Sequence, residues 1–179
     1  MRRHLLPLAL LAACGAGSPS GQQWRSSSPI PISVGASVPI PRAEAVRAIT
    51  EGAAQFGLTV TEQPVWGQGI AVEWIEFCRC RACTPYTVAY VTQDDYRTIH
   101  VCARAALTVS DLGAAVAADG ILKHELGHVL GQPDHIEGPD TAMMTGRQLD
   151  QRPPVRKFTD ADLDFVCTAG GVVSARCRK

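Results

Sequence analysis

The spacing of apolar residues changes period several times along this chain, and each change marks an element. Ile30 to Val34 alternates loosely between prolines and reads as a short strand. Between Pro41 and Phe56 the apolar positions Ala45, Val46, Ile49, Ala53 and Phe56 recur three and four apart, which predicts an amphipathic helix that Gly57 stops. Leu58 to Val60 and Ile70 to Phe77 read as strands, separated by a turn region containing Pro64 and Gly67-Gln68-Gly69. Thr87 to Thr92 and Thr98 to Val101 are β-rich runs around Gln93-Asp94-Asp95, the pattern of a hairpin. Helical spacing returns at Ala114, Ala117, Ala118, Ile121, Leu122 and Val129, where Ser110 or Asp111 can cap the start and Gly120 weakens the interior. Thr159 with Asp162 forms a capping-box pattern that opens a last helix through Leu163 and Val166, and Gly170-Gly171 ends it.

Residues 1–29 break this pattern. Met1-Arg2-Arg3-His4 is a positive start, and Leu5 to Ala13 is an apolar run too short to span a membrane as a helix, so 1–13 reads as an export signal. Leu11-Ala12-Ala13-Cys14 resembles the bacterial lipobox, which implies cleavage before Cys14 and acylation of that cysteine. The expected location is then the bacterial cell envelope, anchored in a lipid bilayer at the outer membrane or cell surface; without lipidation the chain is secreted. Residues 14–29 are small and polar, the composition of a tether, with Trp24 either packed on the domain or left in solvent. One folded domain is expected over 30–179. Composition changes little beyond this: the 179 residues are 46% hydrophobic and carry zero formal net charge, so nothing points to nucleic acid.

The chemistry concentrates in His124 to His135, HELGHVLGQPDH. On a helix His124 and His128 project from one face, close enough to share a zinc ion, while Glu125 is turned by roughly 100 degrees and stands beside the metal as a base. Zinc held by three protein ligands keeps a position for water and lowers its pKa, and Glu125 would take the proton as that water attacks a peptide carbonyl. Gly131 tolerates the positive φ needed to turn the chain back towards the metal. Spacing favours Asp134 as third ligand, whereas residue type favours His135.

HELGHVLGQPD resembles the extended motif of the metzincin zinc peptidases, and most closely the snapalysin family of small bacterial neutral proteases, whose third ligand is Asp. The likeness continues through Gly138-Pro139 and Met144-Thr145-Gly146 and covers roughly 25 residues. It implies an α+β single domain, with a twisted mixed sheet of about five strands, an active-site helix and a C-terminal helix. It also implies a methionine turn beneath the metal, a role that falls on Met144 with Met143 as fallback; a soft side chain suits that floor. Some metzincins carry a tyrosine ligand two residues after this methionine, where this chain has Gly146. An antiparallel edge strand lining the cleft is implied at Tyr86 to Val91, where an extended peptide could add by main-chain hydrogen bonds.

Beyond Cys14, six cysteines remain, and an even number in an exported chain favours disulfides. Cys167 with Cys177 is the preferred local bridge, and Cys78 and Cys80, which share one side of a strand, are each expected to pair elsewhere. Two other readings stay open: a structural zinc site of Cys78, Cys80, Cys83 and Cys102, and a cysteine that blocks the catalytic zinc. The expected function is a zinc endopeptidase acting on protein or peptide substrates, with Glu125 as general base and Zn2+ on His124, His128 and Asp134. The alternatives are a lipid-anchored zinc-binding or adhesion module with little turnover, and a peptidase narrowed to one envelope partner. His100 reads as a packing or surface histidine.

Overall fold

A computed structural model of the chain describes residues 23–63, 69–80, 83, 87–91, 96–102, 114–136, 142–144 and 155–178, with side chains of the third long element described from residue 119. The signal segment and Cys14, the Pro64 turn, the Ser110 or Asp111 cap and Gly138-Pro139 and Thr145-Gly146 lie outside them.

The described residues form a mixed α+β fold with three helices and a mixed five-stranded sheet. In chain order these are β1 (Trp24–Arg25), β2 (Ile30–Val34), α1 (Arg42–Gln55), β3 (Val60–Glu62), β4 (Ile70–Ile75), β5 (Ala89–Val91), β6 (Thr98–Cys102), α2 (Ala114–Val129), α3 (Asp160–Thr168) and β7 (Val172–Val173). The sheet runs β3-β2-β4-β6-β5, parallel throughout except for β5, which pairs antiparallel with β6 at the edge. The hairpin expected on either side of Gln93-Asp94-Asp95 is therefore present. The strand expected over Leu58 to Val60 forms later, as β3 over Val60–Glu62, and it does not pair with β4; the two flank β2.

Proline in the central strand β2 is tolerated because of where β4 joins it. The ladder with β4 begins at Ile32↔Ile70, one residue past Pro31, which has no N–H to donate. Gly69 crosses directly above, and a Cβ there would come within 2.1 Å of the Pro31 carbonyl oxygen. On one face of the sheet α1 covers β2 and β3 while α2 covers β6 and β5, and the two helices pack on each other. They approach closely at Gly52, where a Cβ would meet Leu126 at 2.8 Å. This explains a shift from the expected helix face: Ala45, Ile49, Ala53 and Phe56 are buried as read, but Ala48 and Gly52 are buried too and Val46 only partly.

Pro41 serves as N-cap of α1, one place earlier than a first-turn position, and α3 opens with the expected capping box between Thr159 and Asp162. Phe56 and Phe158 meet edge to face at 5.0 Å, which ties the chain before α3 to the end of α1. Packing begins earlier than residue 30. β1 pairs in parallel with β7, and the Trp24 indole, buried, donates to the Val129 carbonyl at 2.9 Å.

The cysteines pair as Cys78–Cys102, Cys80–Cys83 and Cys167–Cys177. The preferred local bridge is thus present, and Cys78 and Cys80 each pair elsewhere. Both pairs that use Cys78, Cys80, Cys83 and Cys102 are closed, which leaves no free thiolates for the four-cysteine zinc site. His100 sits on β6 against Tyr90 of β5, with ring centroids 5.1 Å apart, as a packing histidine does.

Candidate metal centre

Helix α2 packs on the sheet and α1 and buries Ile121, Leu122, Leu126 and Val129, with Lys123 and Asp119 buried in ion pairs towards α1. The remaining face carries His124 and His128 one turn apart. Gly131, at φ 106°, ends the helix as expected, and its N–H returns to the His128 carbonyl. Four residues further, the turned-back chain delivers His135 to the two helix histidines.

The three rings converge. Their centroids lie 4.9–5.0 Å apart, His124 Nε2 stands 3.1 Å from His135 Nε2 and 3.3 Å from His128 Nε2, and the group is one that could hold a metal ion. The rings are oriented from behind. His124 Nδ1 is 2.8 Å from the Met143 carbonyl and His128 Nδ1 is 2.6 Å from the Gln132 carbonyl. A carbonyl only accepts, so each Nδ1 carries the proton and each Nε2 presents a bare lone pair. Bare lone pairs this close repel unless a cation lies between them. Nitrogens bound tetrahedrally to zinc at about 2.0–2.1 Å stand roughly 3.3 Å apart, so the spacing fits such an ion.

Burial sets the electrostatics. It pushes His124 down to about 3, helped by the neighbouring His128 and opposed by the Met143 carbonyl. His128 falls to about 4 for the same first reason, opposed by the Gln132 carbonyl. His135, the exposed member of the group, is lowered too, by desolvation and against the charge of Asp134. All three are therefore neutral donors at pH 7, the protonation state a metal requires. Solvent reaches the centre from the His135 side.

Glu125 is buried next to His124, and desolvation raises its carboxyl to about 8. Its Oε2 has no hydrogen-bond partner among the described residues. A buried carboxyl without a partner is costly, and such groups are kept where chemistry uses them.

Asp134, which the motif spacing favoured, stands outside this group. It is exposed, and its backbone N–H is engaged at 3.2 Å by Oε1 of Gln132. The structure brings His135, the residue-type choice, into the place that spacing assigned to Asp134. Gln132 accounts for the difference: buried, its amide donates to the Phe165 carbonyl of α3 at 2.8 Å and its own carbonyl holds His128. That clamp fixes the chain immediately after the turn, so the next side chain aimed inward belongs to His135.

Met143 and Met144 are both fully buried. The Met143 carbonyl orients His124, while Met144, the residue expected as the floor beneath the metal, presses on the helix between the histidines, where a Cβ on Gly127 would lie 2.1 Å from its sulfur. The central x of H-E-x-x-H that is glycine here is thus the socket for Met144.

One residue was read only as a helix cap and does more. Asp162 is fully buried and accepts from the backbone N–H groups of Met143 at 2.9 Å and Met144 at 2.8 Å, besides closing the capping box. The carboxylate of the last helix therefore holds the methionine pair whose carbonyl orients His124. Only its capping pattern was visible in sequence. Tyr96 was missed as well: it is buried at φ 49°, and burial first and the charge of Asp134 second raise its hydroxyl, which puts it in the electrostatic reach of the site.

Compared with protein-family models and with curated proteins, the chain finds no match. Among the described residues no helix is long and apolar enough to cross a membrane.

Proposed function

We propose that this protein is a zinc-dependent endopeptidase of metzincin type, in which His124, His128 and His135 hold the metal and Glu125 is the general base. The observation that carries it is three Nε2 atoms converging, two of them with their Nδ1 protons committed to the Met143 and Gln132 carbonyls, beside a buried carboxyl whose Oε2 has no partner among the described residues. Zinc bound there would supply Lewis acidity, polarising a peptide carbonyl and making water acidic near neutral pH. Glu125, ionised when a cation stands beside it, would accept the proton of the attacking water and deliver it to the departing amine. Exposed His135 leaves the approach to the centre open, and β5, the terminal antiparallel strand of the sheet, offers main-chain groups along which an extended peptide can lie. Protein or peptide substrates follow from that strand addition. The lipobox-like Leu11 to Cys14 places this activity on a bacterial envelope bilayer through acylated Cys14.

The test compares zinc content and casein cleavage for the chain from residue 15 onward, a start that keeps Trp24 on its helix. Wild type is expected to hold one zinc and to cut. Glu125→Gln should keep zinc and lose about 10²–10⁴-fold in rate. His135→Ala should lose zinc and Asp134→Ala retain it. Retained zinc in His135→Ala with loss in Asp134→Ala returns the third ligand to Asp134, and one zinc without cleavage of any protein offered points to the binding or adhesion module.

A further inference from the structure

The three disulfides differ in what they hold. Cys78–Cys102 spans 24 residues and fastens the chain leaving β4 to the end of β6, and Cys167–Cys177 spans 10 and fastens α3 to the chain beyond β7. Cys80–Cys83 spans three residues and fastens nothing distant. Its turn is already closed by a backbone hydrogen bond, from the Cys83 N–H to the Cys80 carbonyl at 3.1 Å. Stabilisation is reciprocal: a disulfide that adds much to the fold is protected by the fold to the same degree, and one that adds little is protected little.

Two further features bear on its chemistry. Both cysteines are partly exposed, so a thiol in solution can reach them. The Cys80 backbone N–H points at Cys83 Sγ, 3.1 Å away, and a hydrogen bond to sulfur favours the thiolate over the thiol. Arg79, exposed, adds positive charge beside the pair.

We propose that Cys80–Cys83 is a thiol–disulfide exchange site whose reductant is an external dithiol, and that it works independently of the histidine centre. A thiolate of the dithiol attacks Cys80 Sγ, forming a mixed disulfide; the Cys80–Cys83 bond breaks and its electron pair leaves on Cys83, where the Cys80 N–H receives it. The second thiol of the reductant, deprotonated, attacks its own sulfur in the mixed disulfide and releases Cys80, which takes up the proton. The dithiol is oxidised to a disulfide and the Cys80–Cys83 pair is reduced to two thiols. A structural pair would resist this, because breaking it would oppose the fold.

The experiment equilibrates the full chain in dithiothreitol buffers of graded reducing strength, quenches by alkylation and locates the label by peptide mass mapping. Cys80 and Cys83 are expected to label in buffers at least tenfold less reducing than those needed for Cys78–Cys102 and Cys167–Cys177. With the pair reduced, the pH dependence of alkylation read separately at each sulfur should show Cys83 reacting at least one pH unit lower than Cys80. Opening of all three pairs together, or of Cys80–Cys83 last, overturns the exchange site. Equal profiles at the two sulfurs, or Cys80 reacting at the lower pH, overturn the assignment of Cys83 as leaving group. Cys83→Ser separates these outcomes from unfolding: it should keep the other two pairs oxidised and leave Cys80 as a single reactive thiol, and loss of the other pairs in that variant would make Cys80–Cys83 structural.

Discussion

Helix α2 carries buried polar groups on two sides, and the two sides are treated oppositely. Towards α1, Lys123 is almost fully buried, yet its ammonium meets Glu51 at 3.0 Å, the Arg156 carbonyl at 2.8 Å and Asp119 at 3.6 Å, and Arg47 closes the set against Asp119 and Glu51. One residue further on, the bare Nε2 of His124 faces the bare Nε2 of His128 and stands 3.1 Å from His135 Nε2, and Glu125 keeps an oxygen without a partner among the described residues. A buried charge that serves the fold is paired by the fold. A buried polar group without a partner calls for an explanation, and a bound ion or a catalytic role is one such explanation.

That contrast can be broken in three places. The largest expected effect is on the paired side: Lys123→Ala leaves Asp119 buried without its helix partner and should cost about 3–5 kcal/mol in chemical denaturation, with zinc content per folded molecule unchanged. A loss near zero would mean that the α1–α2 network is as incidental as a surface ion pair.

The second concerns pH and the metal-free protein. Glu125, raised in the fold, binds more protons there than in the unfolded chain, so its contribution is present below pH 4.5 and is lost as pH rises to about 8. His124 and His128, lowered in the fold, do the opposite: their contribution is present above pH 6.5 and is lost as pH falls towards about 4 and 3. Glu125→Gln should therefore stabilise the metal-free chain at pH 8 by ~2–4 kcal/mol and change little at pH 4, read from denaturation midpoints at both. Equal effects at the two pH values would show that Glu125 is not held protonated.

The smallest effect sharpens the reach of the unsatisfied side. Asp162→Asn keeps the size of the group but can accept from only one of the two methionine N–H groups, so the Met143 carbonyl behind His124 should loosen and zinc affinity fall by about 10–100-fold in competition with a chelator. Unchanged affinity would confine Asp162 to capping α3.

Much of this was legible in the chain. The H-E-x-x-H spacing places two imidazoles on one helix face wherever that helix forms, because the periodicity of a helix is local. Gly131 as a stop and Thr159 with Asp162 as a cap are local for the same reason, and both are present. The edge hairpin and the Cys167–Cys177 bridge span few residues and were legible too. What was not legible is what distant segments do to one another. Gly52 is an unremarkable helix residue until α2 packs on it, and Trp24 reads as a tether residue until β7 brings the helix end beneath it.

The amino-acid sequence by itself determined the side-chain types, the two histidines on one turn and the glutamate beside them, all consequences of spacing along one element. Tertiary structure alone decided that His135 and not Asp134 joins the group, that Asp162 holds the methionine turn, and that the Nδ1 atoms of His124 and His128 each face a carbonyl. These depend on where a turned-back chain and a helix some twenty or thirty residues away come to rest. Spacing measures distance along the backbone, whereas a lone pair is aimed by what packs behind the ring.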